Sequence, residues 1–312
     1  MTQQKQKLFL LGLLVIAVVC FSVYSYSLKG VFLWDDETMI LSNPAVTHQS
    51  FLSLFVNPLS LEFANYYRPL QMLSYKIDYF LWGFNPFGFH LTSVLIHIVN
   101  ALILYVIVLG LSASLGLAFF TALIFSVHPL LSESVNYISS RSDILLGLFL
   151  LLSLFFYARI QGRLLRSRYF YISIICFVAA LLSKESALVF PLFLLVYAIV
   201  LDKGKKNNLA YFLVSLIYIL VRVVVSFKFK YVGHYFPVFS LALTDIKVIA
   251  QYASLIFYPF SLHKNWLLPL VTSLKDSGFI LSFLACAGMV ILAIRWFKKN
   301  KLFSFGLFWF FI

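Results

Sequence analysis

Long apolar runs broken by short polar stretches set the pattern of this chain. Runs at 8–28, 88–110, 115–131, 143–160, 169–182, 186–201, 208–227 and 278–297 read as membrane spans. About 20 consecutive apolar residues suffice for an α-helix to cross the hydrocarbon core. A further run starts at 302 and is cut off at Ile312, which points to a longer protein. Residues 68–83 are short and amphipathic, which predicts a helix lying at the interface. Residues 246–262 either span or dip in and return, and a re-entrant or interfacial reading is preferred. The first run, preceded by Lys5 and Lys7, is too long for a typical signal core, and no A-x-A site follows it. Cys20 weakly resembles a lipoprotein box, but Val19 before it is too large. An uncleaved first helix is expected.

Composition strengthens the picture. The chain is 62% hydrophobic and 11% charged, with mean hydropathy +0.96 over 312 residues. A soluble domain of that length could not hide so much apolar surface. The expected fold class is an all-α polytopic membrane protein, with residues 1–312 as one transmembrane domain and 29–87 as its first outer loop. Cys20, Cys176 and Cys286 lie inside apolar runs without paired or metal-ligand spacing, so they read as buried free thiols.

Charge changes the picture next. A net charge of +13 suggests nucleic acid, but the placement of the charges argues against such a partner. Lys5 and Lys7, Arg159 to Arg168, Lys203 to Lys206 and Arg295 to Lys301 all fall on one side if 246–262 does not cross. That side is cytoplasmic by the positive-inside rule. Ten of the eleven acids fall on the other side, and only Asp202 is cytoplasmic. The rule scarcely constrains acids, so this asymmetry reads either as ordinary solvation or as a carboxylate-lined outer site.

Several polar groups stand out against the apolar background. His90, Ser93, His97 and Asn100 form one stripe on the second span. Interhelical hydrogen bonding explains such a stripe more readily than catalysis does, with His90, nearest the outer end, as its best functional candidate. His128-Pro129, Glu133 and Arg141-Ser142-Asp143 join spans three and four on the outer side. Arg141 either pairs with Asp143 at a helix start or presents its fork of donors to a phosphate. Ser183-Lys184-Glu185 marks a hairpin tip, either an exposed turn, which the sequence alone favours, or a recessed charge pair in the site. Trp34-Asp35-Asp36-Glu37 opens the outer loop. Adjacent carboxylates near lipid suit general-base catalysis, or a hard divalent cation held through oxygen, or simply a solvated turn. No nucleotide-binding glycine fingerprint is present, so an enzyme on this scaffold needs an activated donor that is not a nucleotide.

A set of ordered motifs resembles a known family. They are Trp34-Asp35-Asp36 with Asn43-Pro44, Tyr67-Arg68-Pro69-Leu70, and Gly83 to His90 followed by His97 and Asn100. His128-Pro129 with Glu133, Arg141 with Asp143, Ser183-Lys184-Glu185 and Tyr258 to Leu262 continue the series. In order and spacing, along essentially the whole chain, they look like the membrane half of the transmembrane and tetratricopeptide-repeat O-mannosyltransferases, within the GT-C glycosyltransferase fold. The resemblance implies a helical bundle with interfacial helices in its outer loops. It implies a polyprenyl- or dolichyl-phosphate sugar donor, a hydroxyl acceptor, on protein, and an inverting transfer in the bilayer. It implies an essential acid in the first outer loop, here Asp35 as base with Asp36 positioning it. Arg68, Arg141 and Lys184 would neutralise the departing phosphate, and Glu133, Asp143 and Glu185 would orient them or bind the sugar. Leu131 stands where the family often has a second His, Ser93 where it often has Asn, and His263-Lys264-Asn265 where it often has an acid.

A transporter or flippase for a lipid-linked saccharide is the competing reading. It would share the polar stripe and outer charges, but more often shows internal repeats, and none relates the two halves clearly.

Overall fold

The computed structural model describes residues 2–56, 59–61, 64–160, 167–201, 208–226, 237–260, 262 and 269–311. Glu62, Arg163, Arg166, Lys203, Lys205, Lys206 and His263 to Asn265 therefore lie outside the described residues. The chain packs as two compact units, Met1–Pro191 with Lys206–Tyr231, and Leu192–Lys205 with Val232–Ile312.

In the first unit, helix α1 (Gln3–Tyr24) starts where the Thr2 hydroxyl accepts the Lys5 N–H, and a 3-10 turn extends it to Lys29. The outer loop follows as a short π-turn at Glu37–Leu41, then α2 (Pro44–Thr47) and α3 (Ser53–Val56). Strands β1 (Leu59–Leu61) and β2 (Ala64–Tyr66) form a small antiparallel hairpin, with Leu59 opposite Tyr66. The rest is helical: α4 (Pro69–Trp82), α5 (Pro86–Ser112), α6 (Leu115–Val127), α7 (Ser132–Asn136), α8 (Arg141–Ala158) and α9 (Arg168–Ser183). Then come α10 (Phe190–Leu201), which begins here and continues into the second unit, and α11 (Leu209–Ser226). The all-α expectation holds apart from the hairpin.

Sequence explains the boundaries. Gly83 ends α4 at φ +59°, a conformation that residues with a Cβ rarely adopt. Asn85 then accepts the Phe87 N–H and Pro86 opens α5, the usual start of a helix. His128-Pro129 interrupts the helix between α6 and α7, and the axis bends by 48° there.

Three apolar clusters hold this unit. Ile16, Ala101, Tyr105, Ala118 and Ala122 join α1, α5 and α6. Cys20, Tyr24, Val94, Val135 and Ile144 join α1, α5, α7 and α8. Met39, Ile40, Val46, Leu54, Met72, Tyr75, Phe89 and Ile138 form a core under the outer loop, so that loop is a folded cap. Helix α4 buries Met72, Tyr75 and Asp78 and leaves Ile77, Phe80 and Leu81 exposed, as a helix resting on lipid would.

Close packing of α1 on α5 carries a prediction. A Cβ on Gly12 would meet the Tyr105 hydroxyl at 2.7 Å, and Tyr105 is buried and stacked on Phe9. Gly12→Val should therefore destabilise the bundle by about 1–3 kcal/mol. A lowered melting temperature in lipid nanodiscs, with wild-type expression, is the expected reading.

In the second unit, Leu243, Val271 and Phe279 pack between α12 (Val238–Phe257) and α13 (Ser277–Trp296). Thr244 accepts the Val271 N–H at 3.0 Å, and Lys247 pairs with Asp276 at 3.6 Å. Helix α14 (Lys301–Phe310) sets Phe305 and Trp309 against Phe193 of α10.

Two expectations about spans need correction. Residues 246–257 belong to one unbroken 20-residue helix, long and apolar enough to cross, so the segment does not dip and return. The inference that the basic loops share one side loses its condition if that helix crosses. Secondly, among the described residues five helices are long and apolar enough to cross, or six with the bent α6–α7 pair, where eight spans were expected. The regions 168–183, 185–201 and 209–224 form shorter apolar helices. Five such helices make this an integral membrane protein.

Candidate active site

The turn Tyr137–Ser140, between α7 and α8, is where the polar groups of the first unit meet. Its main chain receives α4 on one side. Tyr75 donates to the Ile138 carbonyl at 2.7 Å and Gln71 to the Ser139 carbonyl at 2.8 Å. On the other side it receives the Trp34-Asp35-Asp36 turn. Asp36 is buried, and one carboxylate oxygen accepts the Ser139 N–H at 2.9 Å and the Ser139 hydroxyl. Its other oxygen accepts the Leu33 N–H at 2.9 Å. Burial pushes the Asp36 carboxyl above its ordinary range, the three donors pull against that, and Asp35 adds to the rise.

Asp35 is exposed, and its N–H donates to the Tyr137 hydroxyl at 3.1 Å. Burial and the nearby Asp35 carboxylate push the Tyr137 phenol up to about 12. Trp34 stands at φ +49°, a left-handed conformation unusual for a bulky residue, and its ring packs edge-on against Tyr137 at 5.6 Å.

Arg141 opens α8 and is fully buried. Its guanidinium pairs with Asp78 of α4 at 2.5 Å and donates to Ser93, Ser74 and the Phe89 carbonyl. Tyr75 and Phe89 present ring faces to it at 4.8 and 5.7 Å. The expected pairing of Arg141 with Asp143 is thus corrected: Asp78 takes Arg141, and Asp143 takes Lys184. Direct contact between Arg141 and a phosphate would require displacing Asp78.

Lys184-Glu185 is not an exposed turn. Both side chains are about three-quarters covered, and each reaches a different partner. Glu185 takes the Arg68 guanidinium through two hydrogen bonds of 3.0 and 2.8 Å. Burial would raise the Glu185 carboxyl, but Arg68 and the nearby Arg222 hold it below its ordinary range.

The polar stripe on α5 divides. Ser93 accepts from Arg141, His97 bonds the Ser126 carbonyl at 3.2 Å, and Asn100 donates to the Ile144 carbonyl at 2.9 Å. These three tie α5 to its neighbours. His90 is buried with neither ring nitrogen in a hydrogen bond of ordinary geometry, and a Cβ on Gly30 would meet its Nε2 at 2.6 Å. Glu133 is exposed on α7. Among the described residues no three His, Cys, Asp or Glu side chains are placed to hold a metal ion.

Asp35, Asp36, Arg68, Arg141, Asp143, Lys184 and Glu185 thus lie at one end of the first unit, where α1 finishes, α8 begins and α9 finishes. Sequence reasoning passed over Asp78, Tyr137, Ser139 and Arg222. Asp78 had a signal, a lone acid on an amphipathic helix. Tyr137 and Ser139 had none, since aromatic and hydroxyl residues are common in any outer loop. Further along the bundle, α1, α5 and α8 line an apolar groove of about 200 Å³, with Leu13, Val99, Ile103 and Phe155 among its walls.

Comparisons with known proteins bear on this arrangement. The family model described as dolichyl-phosphate-mannose-protein mannosyltransferase matches residues 69–228. The mouse protein O-mannosyl-transferase TMTC1 is 37% identical over 145 residues, covering 44% of this chain and 15% of that protein. The human TMTC4 is 32% identical over 165 residues, covering 46% and 22%. The fruit-fly Tmtc1 is 28% identical over 214 residues, covering 64% and 24%. The chain therefore spans a quarter or less of the curated relatives it matches. No solved structure matches. The family match starts at Pro69, so it takes in Arg141 and Lys184 but not Asp35 or Asp36. With more than half its residues under that match, this chain belongs to the dolichyl-phosphate-mannose-protein mannosyltransferase family.

Proposed function

We propose that this chain is the membrane part of a glycosyltransferase. It moves mannose or a similar sugar from a polyprenyl- or dolichyl-phosphate donor to a hydroxyl acceptor on protein, with inversion, at the periplasmic, luminal or extracellular face. The observation that carries the reading is the clamped Trp34-Asp35-Asp36 turn. It leaves Asp36 buried and bonded to Ser139, two residues before buried Arg141, and leaves Asp35 exposed.

Each residue then has a role. Asp35 takes the proton from the acceptor hydroxyl as that oxygen attacks the sugar C1. Asp36 holds the turn. Arg68 and Lys184 meet the phosphate as negative charge develops on it, exchanging Glu185 and Asp143 for phosphate oxygens. Arg141 anchors the floor beneath the site, and its charge adds to the local potential. Asp143, Glu185, Glu133 and His90 surround the sugar. The apolar groove among α1, α5 and α8 offers the donor tail a path. Holding acceptor and C1 in line removes the need for chance encounter. A divalent cation is not required by these roles.

The test is transfer of radiolabelled mannose from purified dolichyl-phosphate mannose to a Ser/Thr-rich acceptor peptide by the full-length protein in nanodiscs. Donor-dependent labelling supports the reading. Movement of the donor across the bilayer without transfer would replace it with the flippase. Within the same assay, Arg68→Lys should lower donor kcat/KM about tenfold, since an ammonium cannot reproduce a bidentate fork. Unchanged kcat/KM would remove Arg68 from the phosphate site.

A further inference from the structure

Four charged side chains at the site end of the first unit form two ion pairs joined by one tip. Arg68 stands at the N-cap of α4, Asp143 lies in the first turn of α8, and Lys184-Glu185 follows the end of α9. Lys184 is extended, at φ −156° and ψ 137°, so it and its neighbour face opposite ways. Lys184 pairs with Asp143, and the two Glu185 oxygens meet the Arg68 fork at 3.0 Å from Nε and 2.8 Å from Nη2. The four charges sum to zero. Their cover differs from that of the buried pair beneath. Arg68 and Glu185 keep 12% and 28% side-chain exposure, and Lys184 and Asp143 keep 27% and 36%, against 0% and 2% for Arg141 and Asp78. Water reaches the two outer pairs, so their partners can be exchanged without stranding a charge in a dry interior.

We propose that Glu185 and Asp143 are placeholders for the phosphate: they leave Arg68 and Lys184 when the donor binds, and return to expel the lipid phosphate that the reaction releases. The proposal rests on the phosphate role that the proposed function gives Arg68 and Lys184. A carboxylate across an Arg fork has the geometry of two phosphate oxygens. The charge change of the reaction gives the exchange its direction. The acceptor oxygen bonds to C1 and its proton goes to Asp35. The bond from C1 to the phosphate oxygen breaks, and its electron pair passes to the phosphate. The donor is a phosphodiester with a single negative charge, whereas the product is a monoester carrying about −1.5 to −2 near pH 7. Two uncovered cations would therefore hold the product more tightly than the donor. The returning carboxylates compete for both cations and bring the empty site back to neutrality. Glu185 and Asp143 are in this sense positioning residues, acting through Arg68 and Lys184.

The experiment uses full-length protein in nanodiscs and needs no sugar in its first arm. It measures the dissociation constant of dolichyl phosphate, with dolichol as the control that lacks the headgroup. In Glu185→Gln the constant should fall about tenfold, and in Asp143→Asn about threefold, because an ammonium lacks the fork. Dolichol binding should stay as in wild type. The effect should pass through Arg68, so in an Arg68→Gln background Glu185→Gln should leave the constant within about twofold. A clasp that only holds α4 to the end of α9 would give a lower melting temperature with no gain in affinity. Unchanged or weaker dolichyl phosphate binding in folded Glu185→Gln overturns the proposal, and where that variant does not fold, Asp143→Asn decides in the same way. Equal tightening in the Arg68→Gln background overturns it too, since charge acting at a distance then accounts for the effect. The second arm reads the inhibition of mannose transfer by added dolichyl phosphate, whose inhibition constant should fall by the same factors in the two variants. Should dolichyl phosphate bind in the expected pattern while wild type transfers no sugar, the placeholders stand and the transferase reading fails. Should wild type transfer sugar while both variants bind the lipid phosphate no more tightly, the placeholder proposal alone fails.

Discussion

Asp35→Asn is expected to cut sugar transfer by about 10²–10⁴-fold, the usual contribution of a general base. The fold should survive, for three reasons. Asp35 is exposed, so no buried group is orphaned. Its N–H remains to meet Tyr137. Asn has the shape of the Asp it replaces, so the turn keeps its packing. Donor KM should change little, because in the proposed reading Arg68 and Lys184, not Asp35, meet the phosphate. The neighbouring change has a different signature. Asp36→Asn would turn an amide NH2 toward the Ser139 or Leu33 donors, leaving a buried mismatch of about 1–3 kcal/mol. Asp35→Asn should thus lower kcat in a stable protein, while Asp36→Asn lowers stability first. Full transfer by Asp35→Asn would remove Asp35 as the base.

The second large effect belongs to the buried pair. Arg141→Leu should destabilise the first unit by about 3–5 kcal/mol, since it leaves Asp78 buried without its counter-charge. It also strips donors from Ser93, Ser74 and the Phe89 carbonyl, and so loosens α4, α5 and α8 together. Asp78→Leu should do comparable harm by orphaning a guanidinium that is fully buried. The double replacement should recover much of the loss, because the desolvation of the surviving charge disappears with it. Thermal unfolding and yield in nanodiscs read both. Additive losses in the double variant would show that the two groups do not depend on each other. Activity of Arg141→Leu is then informative only in whatever fraction remains folded, which is why the Asp35 variant is the better probe of chemistry.

Much of the architecture is legible in the sequence. Membrane class, the helical fold and the amphipathic segment that became α4 all follow from one-dimensional pattern. Asn85-Pro86, Gly83 and His128-Pro129 mark boundaries that the fold keeps. Apolar period and capping chemistry act within a few residues, so a linear reading reaches them. The number of crossing helices was less legible, since an apolar run does not reveal where a 3-10 turn or a bend shortens the helix inside it.

Which charges meet was decided only by packing. Arg141 had Asp143 two residues away and took Asp78 instead, because the α8 N-terminus directs its side chain into the cap core beside α4. Glu185 had Lys184 beside it and took Arg68, 117 residues distant. Adjacent residues in that tip point apart, so each found a partner on a different element. Tyr137 and Ser139 acquired meaning only once the outer loop folded down onto their turn. Local sequence determines what a segment can become. Long-range pairing of a few buried polar groups depends on which helix ends share one place, and that is a property of the assembled bundle.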